Sequence, residues 1–369
     1  MDEYLQTRVE PDFDAFRDCI LRKGTPRRVH YLELYEDKEI KDAIVERYDV
    51  GADLNPNDPA YAWQREIAIQ QFLGYDSVSG ALEPLLYFPE AQHQIEARFA
   101  TDTTAAAGQS KGDRQWANEH DGIIRNWADF EAYQWPDPAD LDLSPLDWAE
   151  KHLPPNMKLY MPVYALYEFV AWAFGYENLC YKIYDEPDLV DAVAQKVGEM
   201  RLKHARIVCD YDCVGMLFGG DDMGFKTSLL VPKKFYLQKT FPWYKKINDY
   251  AHSKGKLCVL HSCGRIESLM NELIDDLGFA GRQSFEDVIE PVTLAKQRWG
   301  DRIAVIGGMD MDFMTTATPE QVRQRTRATL EICMPGGGYA LGCGNTVANY
   351  IPVDNYLAML DEGRRWQAS

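Results

Sequence analysis

Two stretches hold the residues best able to do chemistry. In Leu257-Cys258-Val259-Leu260-His261-Ser262-Cys263-Gly264, an apolar, strand-like run ends in a histidine and a cysteine two residues apart. Far downstream, Tyr339-Ala340-Leu341-Gly342-Cys343-Gly344-Asn345 ends a second apolar run in a cysteine between two glycines. Imidazole nitrogen and thiolate sulfur are borderline and soft donors. His261, Cys263 and Cys343 with one position left open would make a zinc set of the catalytic kind. The glycines beside the cysteines would let backbone come close to an ion. On spacing alone, the other reading is that the cysteines simply pack.

Carboxylates stand at comparable places. Asp221 and Asp222 follow the apolar run Val214-Gly215-Met216-Leu217-Phe218, and Glu168 follows the run that starts at Met157. Asp222 and Glu168 are the expected catalytic groups. Their plainer roles would be to cap the next loop and to sit favourably at a helix start. Asp310, after Ile303–Gly308, is expected to support the site from behind. Cys209, Cys213 and Cys258 are expected to be buried thiols. The remaining histidines show no partner pattern.

These residues need strands to carry them. Eight apolar stretches are spaced as strands: 29–32, 76–82, 157–163, 213–218, 256–260, 278–283, 303–307 and 339–342. Helical periodicity fills the gaps. Leu189, Val193, Val197 and Met200 recur at three- and four-residue steps, as do Leu269, Leu273 and Leu277 up to Gly278. Thr318-Pro319 is a helix start with threonine as cap and proline at the first position. Alternating strands and helices imply an α/β fold, read as a (β/α)8 TIM barrel with an inserted excursion around residues 99–140. Trp116, Trp127, Trp135 and Trp148 would give that excursion something to pack. A doubly wound open sheet is the alternative, but it would be expected to carry a GxGxxG turn, which is absent. Residues 1–26 read as an N-terminal extension and 27–369 as a single barrel domain. Chemistry in such barrels gathers at the C-terminal strand ends, where these donors lie.

Bulk properties exclude several classes. The 369 residues carry a net charge of −19, from 39 basic and 58 acidic side chains. Nucleic acid and anionic membrane are therefore not expected as partners. The first residues, MDEYLQTRVEPDFD, lack the apolar core of a secretory signal, and no run approaches the ~18–20 apolar residues of a membrane span. A cytoplasmic protein with free or metal-bound thiols is expected.

The motifs His261-Ser262-Cys263-Gly264 and Gly342-Cys343-Gly344-Asn345 resemble the HxC…C zinc signature of cobamide-dependent methyltransferases in the uroporphyrinogen decarboxylase superfamily. Three further stretches resemble that superfamily: Gly219–Gly224, Ser284–Pro291 and Trp299–Asp310. The arginine-rich RQAGR-type motif of the decarboxylases themselves does not occur, and Cys343 stands where they have a histidine. The resemblance implies a (β/α)8 barrel, a Zn²⁺ cofactor, and a corrinoid arriving on a partner protein. It also implies an acidic fourth ligand after the next strand. Glu286 is the nearest acid there, with Gln283, water or substrate as the other occupants. The implied activity is methyl transfer between a small substrate, a thiol or a methyl ether, and the corrinoid. A porphyrinogen decarboxylase and a non-catalytic corrinoid-protein binder are the alternatives.

Overall fold

The computed structural model describes residues 4–80 and 120–366. Its centre is a parallel sheet of strands β1 (Ser77–Ser79), β2 (Lys158–Met161), β3 (Val214–Gly220), β4 (Leu257–His261), β5 (Gly281–Gln283), β6 (Ala304–Ile306) and β7 (Tyr339–Ala340), paired in chain order. Parallel neighbours need a crossover, and helices supply it. Helix α1 (Phe13–Ile20) precedes the sheet, and α2 (Lys38–Tyr48) and α3 (Tyr61–Leu73) lead into β1. Next come α4 (Trp127–Ala132) and α5 (Ser144–His152), then β2 with α6 (Leu166–Phe174), α7 (Tyr176–Asp185) and α8 (Pro187–Cys209). Helix α9 (Phe241–Ser253) follows β3, α10 (Val292–Trp299) follows β5, α11 (Met311–Thr316) and α12 (Pro319–Cys333) follow β6, and α13 (Val353–Arg365) follows β7.

The sheet curls. Residues 30–32 pair with the far strand: Leu32 N–H donates to Leu341 O at 3.1 Å and Leu341 N–H to His30 O at 2.8 Å. The same stretch reaches the near strand by side chain, with His30 Nδ1 2.7 Å from Asp76 Oδ2 just before β1. Seven strands with this bridging segment are consistent with a TIM-like barrel. The expected strand over 29–32 is reduced to one bridge, Tyr31 to Leu341. The expected strand over 76–82 begins one residue later, and its end lies outside the described residues.

Side chains alternate across each strand, and the packing sorts them. Met216, Phe218, Leu257, Val259, Ala304, Ile306 and Ala340 form an inner cluster with Phe13, Phe16 and Ile20 of α1. The N-terminal segment therefore buries a helix against the inner face of the sheet. The intervening residues Leu217, Cys258, Leu260, Val305 and Leu341 pack outward, in the cluster that holds the helices.

Helix expectations fare unevenly. Leu189, Val193, Val197 and Met200 are all buried on one face of α8. Thr318 closes a capping box with Gln321 at the start of α12. The stretch around Leu269–Leu277 is a 3₁₀ turn (Glu267–Leu269) and a π-helical turn (Glu272–Asp276), not a regular α-helix. Apolar spacing reports which face is buried, and these tighter and wider turns also keep Leu269 and Leu273 inside. The excursion expected around 99–140 lies outside the described residues up to 119. From 120 onward, Trp127 and Trp135 pack on Phe130, while Trp148 stacks with Trp63 and His152.

Gly198 shows how tightly α8 meets α9. A methyl group there would lie 2.2–2.4 Å from three ring atoms of Trp243. Overpacking of this kind costs ~1–3 kcal/mol. Gly198→Ala is expected to lower the unfolding free energy by that amount, seen as a lower urea midpoint with an unchanged slope in far-UV circular dichroism.

Candidate metal centre

Alternation fixes what faces the mouth. Val259 is inward, so His261, two residues on, is inward too, and only 2 % of it is exposed. Gln283 pairs with His261 across β4 and β5 and shares its face. On β3 the same count from Met216 and Phe218 carries Asp222 inward and Asp221 outward. The two adjacent aspartates thus do different work.

Past β4 the chain turns at Gly264, whose φ is +76°. A Cβ there would come within 2.2 Å of Gly224 O, and one on Gly224 within 2.9 Å of Cys263 O. The two loops lie backbone on backbone, which only glycine permits. That contact brings Cys263 N–H to Asp222 Oδ1 at 2.8 Å.

Three donors converge as a result. Cys263 Sγ is 3.3 Å from His261 Nε2, and His261 Nε2 is 3.6 Å from Asp222 Oδ1. The ligand atoms of Asp222, His261 and Cys263 all lie within 4.8 Å of one another. A tetrahedral ion ~2.0–2.3 Å from each donor implies donor–donor separations of ~3.3–3.8 Å, so this set fits zinc. The histidine tautomer fits as well. Gln283 Nε2 donates to Cys343 O at 3.4 Å, which turns Oε1 toward His261 Nδ1 at 3.0 Å. Nδ1 then carries the proton, and Nε2 presents its lone pair to the ion.

Burial pushes the Cys263 thiol well above its usual range, and the Asp222 charge pushes the same way. Ser284 Oγ at 3.6 Å and Asn345 Nδ2 at 3.2 Å from Sγ are placed to stabilise a thiolate. Ser284 has a φ of +93° and Ala165, just before α6, one of +72°. Left-handed backbone in ordinary residues costs of order 1–3 kcal/mol and tends to persist where a site needs it.

Glu168 is half-buried at the cavity wall, and its carboxyl is raised well above the usual range, first by burial and then by Asp222 and Asp221. Asp221 fixes it from outside: its carboxylate accepts from Tyr167 N at 2.9 Å, from Glu168 N at 2.8 Å and from the Tyr244 hydroxyl. Burial raises Asp221 itself to about 6.

The other sequence-named ligands stand apart from the three-donor cluster. Cys343 is fully buried, and its N–H meets both oxygens of Glu33 at 2.9 Å. Counted in twos from Leu341, it falls on the outer side with Glu33, and burial raises both groups well above their usual ranges. Glu286 lines an outer cavity of about 660 Å³ with Asp287, Asp310, Asn345 and Tyr350. Asp310 caps α11 through Asp312 N and Phe313 N, and accepts from Asp287 N at 3.1 Å.

A smaller cavity of about 220 Å³ opens directly beside the donors. Glu168, Asp222, His261, Asn345 and Arg201 supply its polar groups, and Leu34, Tyr35, Pro162, Tyr164, Phe169 and Trp172 its apolar walls. Arg201 and the support roles of Asn345 and Glu33 had no signal in the sequence. Arg201 sits mid-helix on α8, where nothing local marks it. Gln283 could have been found from the register of β5 against β4.

A family model described as uroporphyrinogen decarboxylase (URO-D) matches residues 121–366. No curated protein matches the sequence. Among solved structures, a methyltransferase from Methanosarcina mazei is similar over 98% of this chain and 98% of that chain, at 13% identity and a TM-score of 0.63. A Listeria monocytogenes chain provisionally described as a vitamin-B12 independent methionine synthase is similar over 96% of this chain and 98% of that one, at 14% identity and a TM-score of 0.44. Only the first bears on the fold. Among the described residues, no helix is long and apolar enough to cross a membrane.

Gln283 orients His261, and loss of such a partner typically costs 10–100-fold in metal affinity. Gln283→Ala is expected to weaken zinc binding by that factor, measured by competition with a chromophoric chelator, while the far-UV spectrum stays unchanged.

Proposed function

The chain belongs to the uroporphyrinogen decarboxylase family, and we propose that within it the protein is a zinc-dependent methyltransferase, moving a methyl group between a small molecule and a corrinoid on a partner protein. The observation that carries this reading is the convergence of Cys263 Sγ, His261 Nε2 and Asp222 Oδ1 on the wall of the 220 Å³ cavity. Carboxylate, imidazole and thiolate would hold the ion, and the remaining position belongs to substrate or to a fourth side chain. Cys343 and Glu286 are the two side chains proposed for it, although neither belongs to the three-donor cluster as it stands. When bound, zinc supplies a Lewis acid that polarises a methyl-bearing or methyl-accepting oxygen or sulfur.

The chain's own residues do the rest. Asp222 ties the Cys263 backbone to the end of β3, so donor spacing is set by the sheet. Glu168 faces the cavity beside His261, its carboxyl pushed well above the usual range by burial and the two aspartates. It acts as the acid that protonates a leaving oxygen. The apolar walls exclude water from the reacting methyl group. The cavity beside the donors, about 220 Å³ and open to one side, has room for one small ring or chain against them.

Zinc is expected at one ion per chain by mass spectrometry of the purified protein, with methyl transfer to Co(I) cobalamin followed by absorbance. His261→Ala and Cys263→Ala should lose both. Cys343→Ala and Glu286→Ala assign the fourth position, since only a true ligand takes the metal with it. Glu168→Gln should retain zinc and lose ~10²–10⁴ in rate with an oxygen donor. Full methyl transfer by metal-free protein would overturn the proposal.

A further inference from the structure

The cavity beside the three donors has a composition that selects a chemical class. Resting on the methyl-transfer reading, we propose that the methyl donor is a single-ring aromatic methyl ether bearing a carboxylate, with its ring held among aromatic walls and its anion read by Arg201.

Size comes first. An engineered apolar cavity of ~150 Å³ binds benzene. At about 220 Å³ this one has room for a benzene ring with a few substituent atoms. The walls come next. Tyr35, Tyr164, Phe169 and Trp172 all face it, and the Phe169 and Trp172 rings lie 5.1 Å apart at 39°. Ring faces and edges at these spacings are what a flat aromatic guest packs against. A short thiol or methanol would leave such walls largely uncovered.

Charge decides the substituent. Arg201 lines the cavity at 2 % exposure, its guanidinium 3.9 Å from the centre of the Phe169 ring. A guanidinium stays charged when buried, and its planar fork matches a carboxylate. Aromatic walls also suit quaternary ammonium ligands, but a fixed cation in the wall repels them. Glu168 and His261 mark the reacting end, since a Cβ on Gly220 would meet His261 Cδ2 at 3.5 Å and Glu168 Oε2 at 3.9 Å. The ether oxygen belongs there and the carboxylate toward Arg201.

The transfer balances with a Co(I) corrinoid as acceptor. The oxygen–methyl bond breaks, and the methyl carbon bonds to the electron pair of cobalt, which becomes Co(III). The oxygen keeps its bonding pair and takes a proton from solvent, leaving a phenol.

The test uses zinc-loaded, full-length protein. Binding of 3-methoxybenzoate, 3-methoxybenzamide, methoxybenzene and 2-mercaptoethanol is measured by calorimetry, and methyl transfer to or from cobalamin in parallel. The carboxylate should bind at least tenfold more tightly than the amide of the same shape, a comparison made on the wild-type protein and so independent of variant folding. Arg201→Leu should remove that preference while methoxybenzene affinity changes little, and Trp172→Ala should weaken all the arenes. Equal binding of acid and amide, or an unchanged preference in Arg201→Leu, overturns the inference. Tight thiol binding with thiol methylation and no arene binding also overturns it, leaving the methyl-transfer reading intact. Absence of bound zinc together with no transfer from or to any of these compounds refutes that reading itself.

Discussion

The period-two alternation of side chains at the ends of β3, β4 and β5 is the constraint on which the site depends. It turns His261 and Gln283 toward each other on the inner face and separates Asp222 from Asp221, though the two are adjacent in sequence. A slip of one residue in any of these strands would exchange the faces and dissolve the cluster. The inner packing of Met216, Phe218, Leu257 and Val259 against α1 holds the register. Core packing at the closed end of the sheet therefore sets donor spacing at the open end. The glycine contact between the two loops then adds what alternation cannot, the sideways approach of Cys263 to Asp222.

The same geometry explains why so much ionisable chemistry is buried here without charge. Glu168, Cys263 and Cys343 are all driven toward their protonated forms by burial. A divalent ion would reverse that for its ligands, adding to the Ser284 and Asn345 donors already set beside the Cys263 sulfur. Metal binding is then coupled to proton release. Glu168 is set apart by Asp221, which takes the outward face: it caps the start of α6 and leaves Glu168 facing the cavity beside Asp222. Burial first, and then these two carboxylates, push the Glu168 carboxyl well above its usual range.

The HxC run, the strand-and-helix rhythm and the long amphipathic α8 were legible in the sequence, because each is a local pattern with a local physical cause. What could not be read was whatever depends on pairing between distant segments. Asp222 as a donor beside His261 follows from the β3–β4 register. Gln283 follows from β4–β5. Cys343 has the right residue type at the right strand end, yet its backbone is tied to Glu33 on the outer side, a contact 310 residues away in the chain. The helix expected near Leu273 fails for another reason: three- and four-residue apolar spacing is compatible with mixed 3₁₀ and π turns. Arg201 lies on a helix face whose meaning appears only when α8 is docked beside α6.

Fold membership alone does not choose among the activities such a barrel can host. The choice here rests on what fills the mouth. Four aromatic side chains and a buried arginine line the cavity of about 220 Å³ beside the donors, so a flat ring and an anion are what its walls match. The donors themselves come from strand ends and tight glycine loops, the parts least free to move. The walls come from α6, α8 and the segment after residue 32, which can change side chains without disturbing the sheet. Keeping the rigid strand ends while varying the helical walls would let one scaffold keep its donor set and change what its mouth accepts. On that argument, the identity of the small molecule is written in Tyr35, Phe169, Trp172 and Arg201 and not in the HxC motif.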